Sequence, residues 1–547
     1  MSHRQRILLY TTVFFALLLR VIYLGKTPTG FTPDEASQGY SAYSLLKTGT
    51  DEWGTSWPIT SFKSFLDYKA PLQTYLMIPS IAIFGLNEFS VRLPSALFGV
   101  LAIIGVYLLA STIFENKTVG LLASFILAIS PWHFQFSRMA LEANLISFFF
   151  PLGLYFFAEG LKKSKYLFYS AILWSVGLYS YHAFKIYLPL FLLAIILLFR
   201  HQLAVLPKKS IIKTIIFFLL IASPLIYQSI FGQASRRGVD LLVTNLDSNQ
   251  SEQVHNAISY ANYRTPNYLI EKVFHNKYTF AFDKFVENFT SYLSPSFWFT
   301  EGGRETTYSV IPGRGLLYFW QFPVIVFALY KLFQEKKYHQ LKFIIPWLLL
   351  AAIPAAITKE GYRPNRAAAF ATLFEIVSAY GLYLLFVREK YLKKYTILAV
   401  FVVAMSFIFY MEDYFSSSKT QFPNAMSYGW NKAVVAVNNL ESKYDVVQIE
   451  RGSQSQSFFA FYKPISPNDF QKATYDWDTT KVSYLDQIGE YKIGKYLFKD
   501  FSWPENRNNH TIYLASKFNT LPSDRHTIQV IYNQINKPVF EIFDFKK

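Results

Sequence analysis

The chain contains no cysteine. Disulfides, thiolate metal sites and a cysteine nucleophile are therefore excluded, and any part outside the cell must hold together by packing alone. Charge is scarce too: Asp, Glu, Lys and Arg make up 16% of the 547 residues, against about a quarter in an ordinary soluble domain. Acids are the scarcer sign, 36 against 53 basic residues, which leaves a formal charge of +17. The basic clusters are short and carry no nucleic-acid-binding motif, so positive-inside bias and anionic lipid head groups account for them and no nucleic-acid partner is expected. No HxxxH or comparable ligand spacing occurs, and there is no low-complexity segment or internal repeat.

What is present is apolar. Hydrophobic residues reach 52% and aromatics 19%, gathered in long blocks. A bilayer core of about 30 Å takes about 20 residues of helix to cross. Spans are expected at about 7–25, 91–112, 118–133, 143–161, 166–181, 183–199, 211–230, 315–333, 341–357, 367–387 and 395–411, an all-α polytopic domain of about 11 transmembrane helices over 1–411. The first span follows Met1 to Arg6 without a convincing small-residue cleavage site, so it is expected to be a retained helix and not a signal peptide.

Residues 70–85 are also apolar, and whether they cross sets the orientation of all that follows. If they do not, Arg4/Arg6, Lys162/Lys163/Lys165, Arg200/Lys208/Lys209, Lys331/Lys336/Lys337 and Arg388/Lys390/Lys393/Lys394 all fall on the cytoplasmic side, as the positive-inside rule requires. The segment is accordingly read as a helix at, or dipping into, the membrane surface. The N-terminus then lies on the cytoplasmic side of the plasma (cytoplasmic) membrane. Outside lie a first loop of about 26–90, a long loop of about 231–313 and the C-terminal segment 412–547. That last segment turns polar and tyrosine-rich, with a helix-like stretch at 428–439 and strand-like runs at 445–449, 511–515 and 526–532, which predicts a soluble α/β domain. It is open whether this domain binds the acceptor or is a structural cap.

This topology collects the conspicuous polar residues on the outer face: Asp34, Glu35, Asp67 and Lys69 in the first loop, Arg138 and Glu142, His182 and Lys185, and the turn Glu360 to Arg366. Charge beside hydrocarbon is costly and is kept for a partner or a task. No nucleotide pool exists outside the cytosol, so an activated substrate there is expected to arrive on a lipid.

The segments Asp34-Glu35, Asp67-Tyr68-Lys69-Ala70-Pro71-Leu72, Glu88 to Gly99, Ser137-Arg138-Met139-Ala140-Leu141-Glu142 and Glu360 to Arg366 resemble the GT-C superfamily of membrane glycosyltransferases. The branch of protein O-mannosyltransferases and the lipid A aminoarabinose transferase is the nearest. The resemblance covers roughly residues 1–410 and is strongest up to about 160. It implies transfer of a monosaccharide, a hexose such as mannose, from a polyprenyl-phosphate donor to an acceptor hydroxyl on the outer face. Protein, lipid and glycan acceptors all stay open. Against the aminoarabinose branch, Ser37 stands where Arg is usual, Tyr68-Lys69-Ala70-Pro71 replaces Glu-Lys-Pro-Pro, and Glu142 replaces Asp. The Trp-Trp-Asp motif of oligosaccharyltransferase soluble domains is absent.

A lipid phosphate is a good leaving group, so the chemistry needs a base for the acceptor and cations for the departing phosphate. Asp34 is the expected base, with Glu35 as the adjacent alternative; on a helix the two point about 100° apart, so only one faces substrate. The competing reading makes Asp34 a helix cap. Lys69, Arg363, Arg366 and Lys185 are the phosphate-binding candidates. Asp67, Tyr68, Arg92, Arg138, Glu142 and His182 support them, Arg92 and Arg138 as ion-pair partners of Glu88, Glu142 or the catalytic acids. No essential metal is expected, although Asp34 with Glu142 could hold a divalent cation. Trp53, Trp57, Tyr68, Tyr292, Trp298 and Phe299 are sugar-stacking or interfacial-belt residues, and 292–314 is either a lid or a connector. The rival class is a polytopic transporter of lipid-linked or small polar substrates, which would show repeats and broken helices at the midplane.

Overall fold

A computed structural model describes the chain except for residues 233–241, 245–250, 253–254, 257–258, 261–262, 264–272, 275, 304–310, 312, 360, 371, 390, 453, 480–481, 483–484, 504–506, 519–520 and 546–547. In chain order it opens with α1 (His3–Val21), α2 (Pro33–Thr48), the strands β1 (Phe62–Ser64) and β2 (Asp67–Lys69), α3 (Pro71–Phe84), α4 (Glu88–Ile113), α5 (Lys117–Ile129), α6 (Pro131–Ser137), α7 (Ile146–Gly160), α8 (Lys165–Gly177) and α9 (His182–Leu198). Two compact units result. The first is Met1–Leu18, Phe98–Phe136 and Ala143–Phe407; the second is Leu19–Leu97, Ser137–Glu142 and Ile408–Lys547.

Among the described residues six helical stretches are long and apolar enough to cross a membrane: Glu88–Ile113, Glu142–Gly160, Lys208–Phe231, Tyr338–Ala356, Ala368–Arg388 and Lys393–Thr420. The pair α5 and α6, bent by 61°, makes a seventh if it is one span. The expected count of about eleven is not reached by this measure. The apolar runs at 166–181 and 315–333 hold helices of 13 and 14 residues, because their apolar character continues into turns such as Leu178 to Ser180, which hydropathy does not separate from helix; the run at 183–199 is helical almost throughout, as the 17-residue α9. In α1, Arg4, Arg6 and Arg20 dilute the apolar run. The segment 70–85 is the 14-residue α3, short for a span.

In the first unit the core is aromatic. Phe150 of α7 lies 4.8–6.4 Å, ring centre to ring centre, from Trp174, Phe184, Tyr187, Phe191 and Trp347. A Cβ at Gly153 would come within 2.3 Å of Trp174 Nε1, so glycine is what lets α8 approach α7 there. Trp174 in turn donates to the Phe150 carbonyl at 3.2 Å.

In the second unit the C-terminal segment forms a six-stranded mixed sheet from β3 (Val446–Ile449), β4 (Glu490–Ile493), β5 (Tyr496–Lys499), β6 (Thr511–Ala515), β7 (His526–Tyr532) and β8 (Pro538–Asp544). The order is β4-β5-β3-β6-β8-β7, with β3 parallel to β5 and β6 and the outer pairings antiparallel. All of β6 is buried, as expected of a central strand covered on both faces. The helix expected at 428–439 is Trp430–Leu440. A second helix, Ser455–Tyr462, packs on α2: a Cβ at Gly39 would come within 2.9 Å of Phe461 Cε2, and just beyond that helix the Ile465 carbonyl accepts from Tyr40 OH at 2.8 Å. Thus α2, the helix that begins at the acidic pair, is embedded in this unit's core.

Candidate active site

Thr32 has extended backbone and caps α2. Its Oγ1 accepts from Glu35 N–H, and Glu35 Oε2 accepts from Thr32 N–H at 3.1 Å. This reciprocal capping box, with Pro33 at the first helical position, fixes where the helix starts. The cap is Thr32 and not Asp34, and the two carboxylates separate accordingly. Glu35 turns into the core and is fully buried. Arg92 of α4, also buried, donates from Nε to Glu35 Oε1 at 2.8 Å and from Nη2 to Oε2 at 3.2 Å, and Ala140 N–H adds a bond to Oε1 at 3.1 Å. The remaining Arg92 donors reach the carbonyls of Leu24, Pro28 and Gly30. A buried charge pair needs this degree of satisfaction to be tolerated. Arg92 thus takes Glu35 as its ion-pair partner, while Glu88 accepts from Tyr462 OH at 2.9 Å.

Asp34 keeps 21% of its side chain exposed, and its Oδ1 lies 2.8 Å from Lys69 Nζ. The same Nζ lies 2.8 Å from Asp67 Oδ2. The hairpin explains the grouping. Phe65 and Leu66 both take positive φ, 38° and 68°, the tight turn a two-residue hairpin needs. Residues two apart on a strand share a face, so Asp67 and Lys69 of β2 stand together. Tyr68, between them, pairs in register with Lys63 of β1.

Arg138 donates to the carbonyls of Leu19 and Arg20 at 2.7 and 3.2 Å and to that of Thr27 at 2.9 Å. It caps the end of α1, as Arg does at helix C-termini. Glu142 is buried and opens a single turn, Glu142–Leu145.

Four expected residues belong to the first unit. His182 begins α9, with Lys185 Nζ 3.5 Å from its Nδ1. Arg363 N–H donates to Tyr292 OH at 3.0 Å, and Arg366 donates to Thr358 Oγ1 at 2.8 Å. Burial, and then the neighbouring Arg366 cation, pull the Arg363 pKa below its ordinary value. Glu360, and residues 304–310 and 312 of the expected lid segment, lie outside the described residues. Tyr292 and Trp298 are buried among Phe297, Phe370 and Phe374. Trp57 is exposed and stacks parallel to Tyr75. Trp53 receives the Lys63 ammonium 3.8 Å from its ring centre. Among the described residues no group of three or more metal-ligating side chains occurs.

A second acidic pair, Asp51-Glu52, escaped the sequence reading although it has the same residue pattern as Asp34-Glu35. Glu52 is buried and receives Ser37 Oγ on both oxygens, at 2.9 and 3.1 Å. Burial pushes its carboxyl up to about 8, partly offset by the Ser37 bond. Asp51 Oδ1 accepts the N–H groups of Trp53 and Thr55 at 2.9 and 2.8 Å; burial nonetheless raises it to about 6.

Residues 68–227 match the family described as dolichyl-phosphate-mannose-protein mannosyltransferase. An uncharacterized protein of Aquifex aeolicus (strain VF5) is 31% identical over 165 residues, 29% of this chain and 32% of that protein. The matched part thus spans about a third of that curated relative. Among solved structures, ArnT from Cupriavidus metallidurans bound to undecaprenyl phosphate superposes with a TM-score of 0.53 at 11% identity, covering 98% of this chain and 97% of that one. The Archaeoglobus fulgidus oligosaccharyltransferase tethered to an acceptor peptide gives 0.50 at 15% identity, covering 84% and 63%.

Proposed function

We propose that this chain is a membrane glycosyltransferase of the GT-C superfamily and moves a monosaccharide from a polyprenyl-phosphate donor to an acceptor hydroxyl on the outer face of the plasma membrane. The observation that carries the reading is the grouping of Asp34, Lys69 and Asp67, a part-exposed carboxylate beside a lysine held by two acids. Undecaprenyl phosphate on the ArnT structure and the mannosyl donor in the matched family's description support the lipid-phosphate donor. A hexose such as mannose is the sugar we assign.

In this reading Asp34 is the base and Glu35 is not, because both Glu35 oxygens are already committed to Arg92 and the helix cap. The acceptor oxygen forms a bond to the anomeric carbon as Asp34 takes its proton. The bond from that carbon to the phosphate oxygen breaks, and its electron pair leaves on the polyprenyl phosphate. Attack from the face opposite the phosphate inverts the anomeric centre. Lys69 presents a compact ammonium to the departing phosphate, with Asp67 holding it in place; moving Lys69 from Asp34 to phosphate would also take that ion pair off the carboxylate and make it a stronger base. Arg363, Arg366 and Lys185 are assigned to phosphate binding as well. The domains we assign are a catalytic membrane domain over 1–411, with the N-terminus in the cytoplasm, and an extracytoplasmic domain over 412–547. Purified protein in liposomes should release radiolabel from polyprenyl-phosphate mannose into an outward acceptor fraction; labelled lipid that stays intact with every polyprenyl-phosphate hexose offered would refute the reading.

A further inference from the structure

We propose that Glu52 is a positioning residue for this transfer, tying the helix that carries Asp34 to the hairpin that carries Lys69 through a buried chain of two serines. The inference rests on the functional reading just given. Ser37 lies on α2, one turn beyond Asp34. Its hydroxyl bonds to both oxygens of Glu52 and, on its other side, to the hydroxyl of Ser64. Ser64 ends β1 and stands directly opposite Asp67 in the hairpin register. All three members are at most 3% exposed.

The chain therefore runs from loop to helix to hairpin, and the distance it fixes is the one on which Lys69 Nζ and Asp34 Oδ1 meet. Packing alone does not explain a carboxyl at this point. Burying one is costly unless it is bonded, and an apolar side chain would fill the same space without that cost. A carboxyl adds directionality: in either protonation state it can bond the Ser37 hydroxyl, as acceptor when ionised and as donor when neutral. The link between helix and hairpin thus persists across the pH range in which Glu52 titrates. Asp51 is the charged group that acts on Glu52, and Lys63 of the hairpin acts in turn on Asp51.

The test compares wild type, Glu52→Ala, Glu52→Gln, Ser64→Ala and Asp34→Asn, full length in liposomes. The readouts are label transfer and backbone hydrogen exchange over 62–69. Misplacement by about 1 Å can cost about 100-fold. Glu52→Ala and Ser64→Ala should accordingly lose kcat while KM for the lipid donor stays put, and their hairpin amides should exchange faster while the C-terminal sheet does not. Glu52→Gln, which keeps the shape and a bond to Ser37, should recover most of both. Unchanged hairpin exchange in Glu52→Ala would overturn the proposal whatever donor the enzyme uses, as would full kcat in a folded Glu52→Ala beside an inactive Asp34→Asn. Full activity in Asp34→Asn would instead sink the base assignment and leave the clamp to be judged by exchange. If Glu52→Ala fails to fold, Ser64→Ala decides by the same two readouts.

Discussion

Replacing Arg92 with methionine isolates what holds the acidic pair apart. The substitution keeps most of the apolar stem and removes five hydrogen bonds, two to Glu35 and three to the carbonyls of Leu24, Pro28 and Gly30. It leaves a carboxylate with no exposure and only the Thr32 and Ala140 donors. Stranding one partner of a buried pair costs about 3–5 kcal/mol, and each carbonyl left bare adds up to about 1 kcal/mol before relaxation. The expected loss is about 5 kcal/mol, a large part of the stability of a typical domain. Neutralising the stranded acid should return much of it, since a glutamine at position 35 still completes the capping box. Arg92→Met, Glu35→Gln and the double variant form a cycle, read by denaturation in detergent, with an expected coupling of about 2 kcal/mol or more. Arg92→Met within about 1 kcal/mol of wild type, or a double variant as unstable as the two single losses added together, would refute the account of Glu35 as a structural acid.

Gly39→Ala should destabilise the second unit by about 1–3 kcal/mol, because its Cβ would meet Val91 Cγ2 at 2.7 Å and Phe461 Cε2 at 2.9 Å; an unchanged melting temperature would contradict that packing. Stability should fall as pH rises through about 4.5 to 8 for Glu52 and 3.8 to 6 for Asp51, since the folded chain holds those protons longer than the unfolded one and the benefit is complete only below the unfolded values. For Glu52 the fall sums to on the order of 5 kcal/mol, and Glu52→Gln should flatten that part of the profile. Transfer should survive EDTA, because lysine and arginine carry the phosphate charge in this mechanism; activity abolished by EDTA and restored by a divalent ion would overturn it.

Much of the second unit can be read from residue order. Thr32-Pro33-Asp34-Glu35 announces a helix start, and the strand-like run of β6, Thr511 to Ala515, announces a sheet. What stays hidden is long-range. Nothing local to Glu35 tells of Arg92, 57 residues on, so the two acids look equivalent until the helix turns one inward. The hairpin is obscured because its turn residues are Phe65 and Leu66, which carry none of the glycine or asparagine that marks such turns. Strands β4 and β5 are four residues each; β4 carries Glu490 and Lys492 on alternate positions and β5 is a short Tyr496 to Phe498 run ended by Lys499, so neither stands out as a strand. Glu52 was passed over because only the fold brings Ser37 and Ser64 to it. In the first unit, the apolar runs at 166–181 and 315–333 extend past their helices into turns, so composition alone does not mark where those helices end.

The most direct test is sugar release from labelled polyprenyl-phosphate mannose in liposomes, comparing wild type with Asp34→Asn at matched folding and matched donor binding. The account predicts release by the wild type, with Asp34→Asn binding donor but slower by about 100-fold or more, the lower end of what a positioned general base contributes. Equal release by the two proteins would remove Asp34 from the chemistry and contradict the central claim.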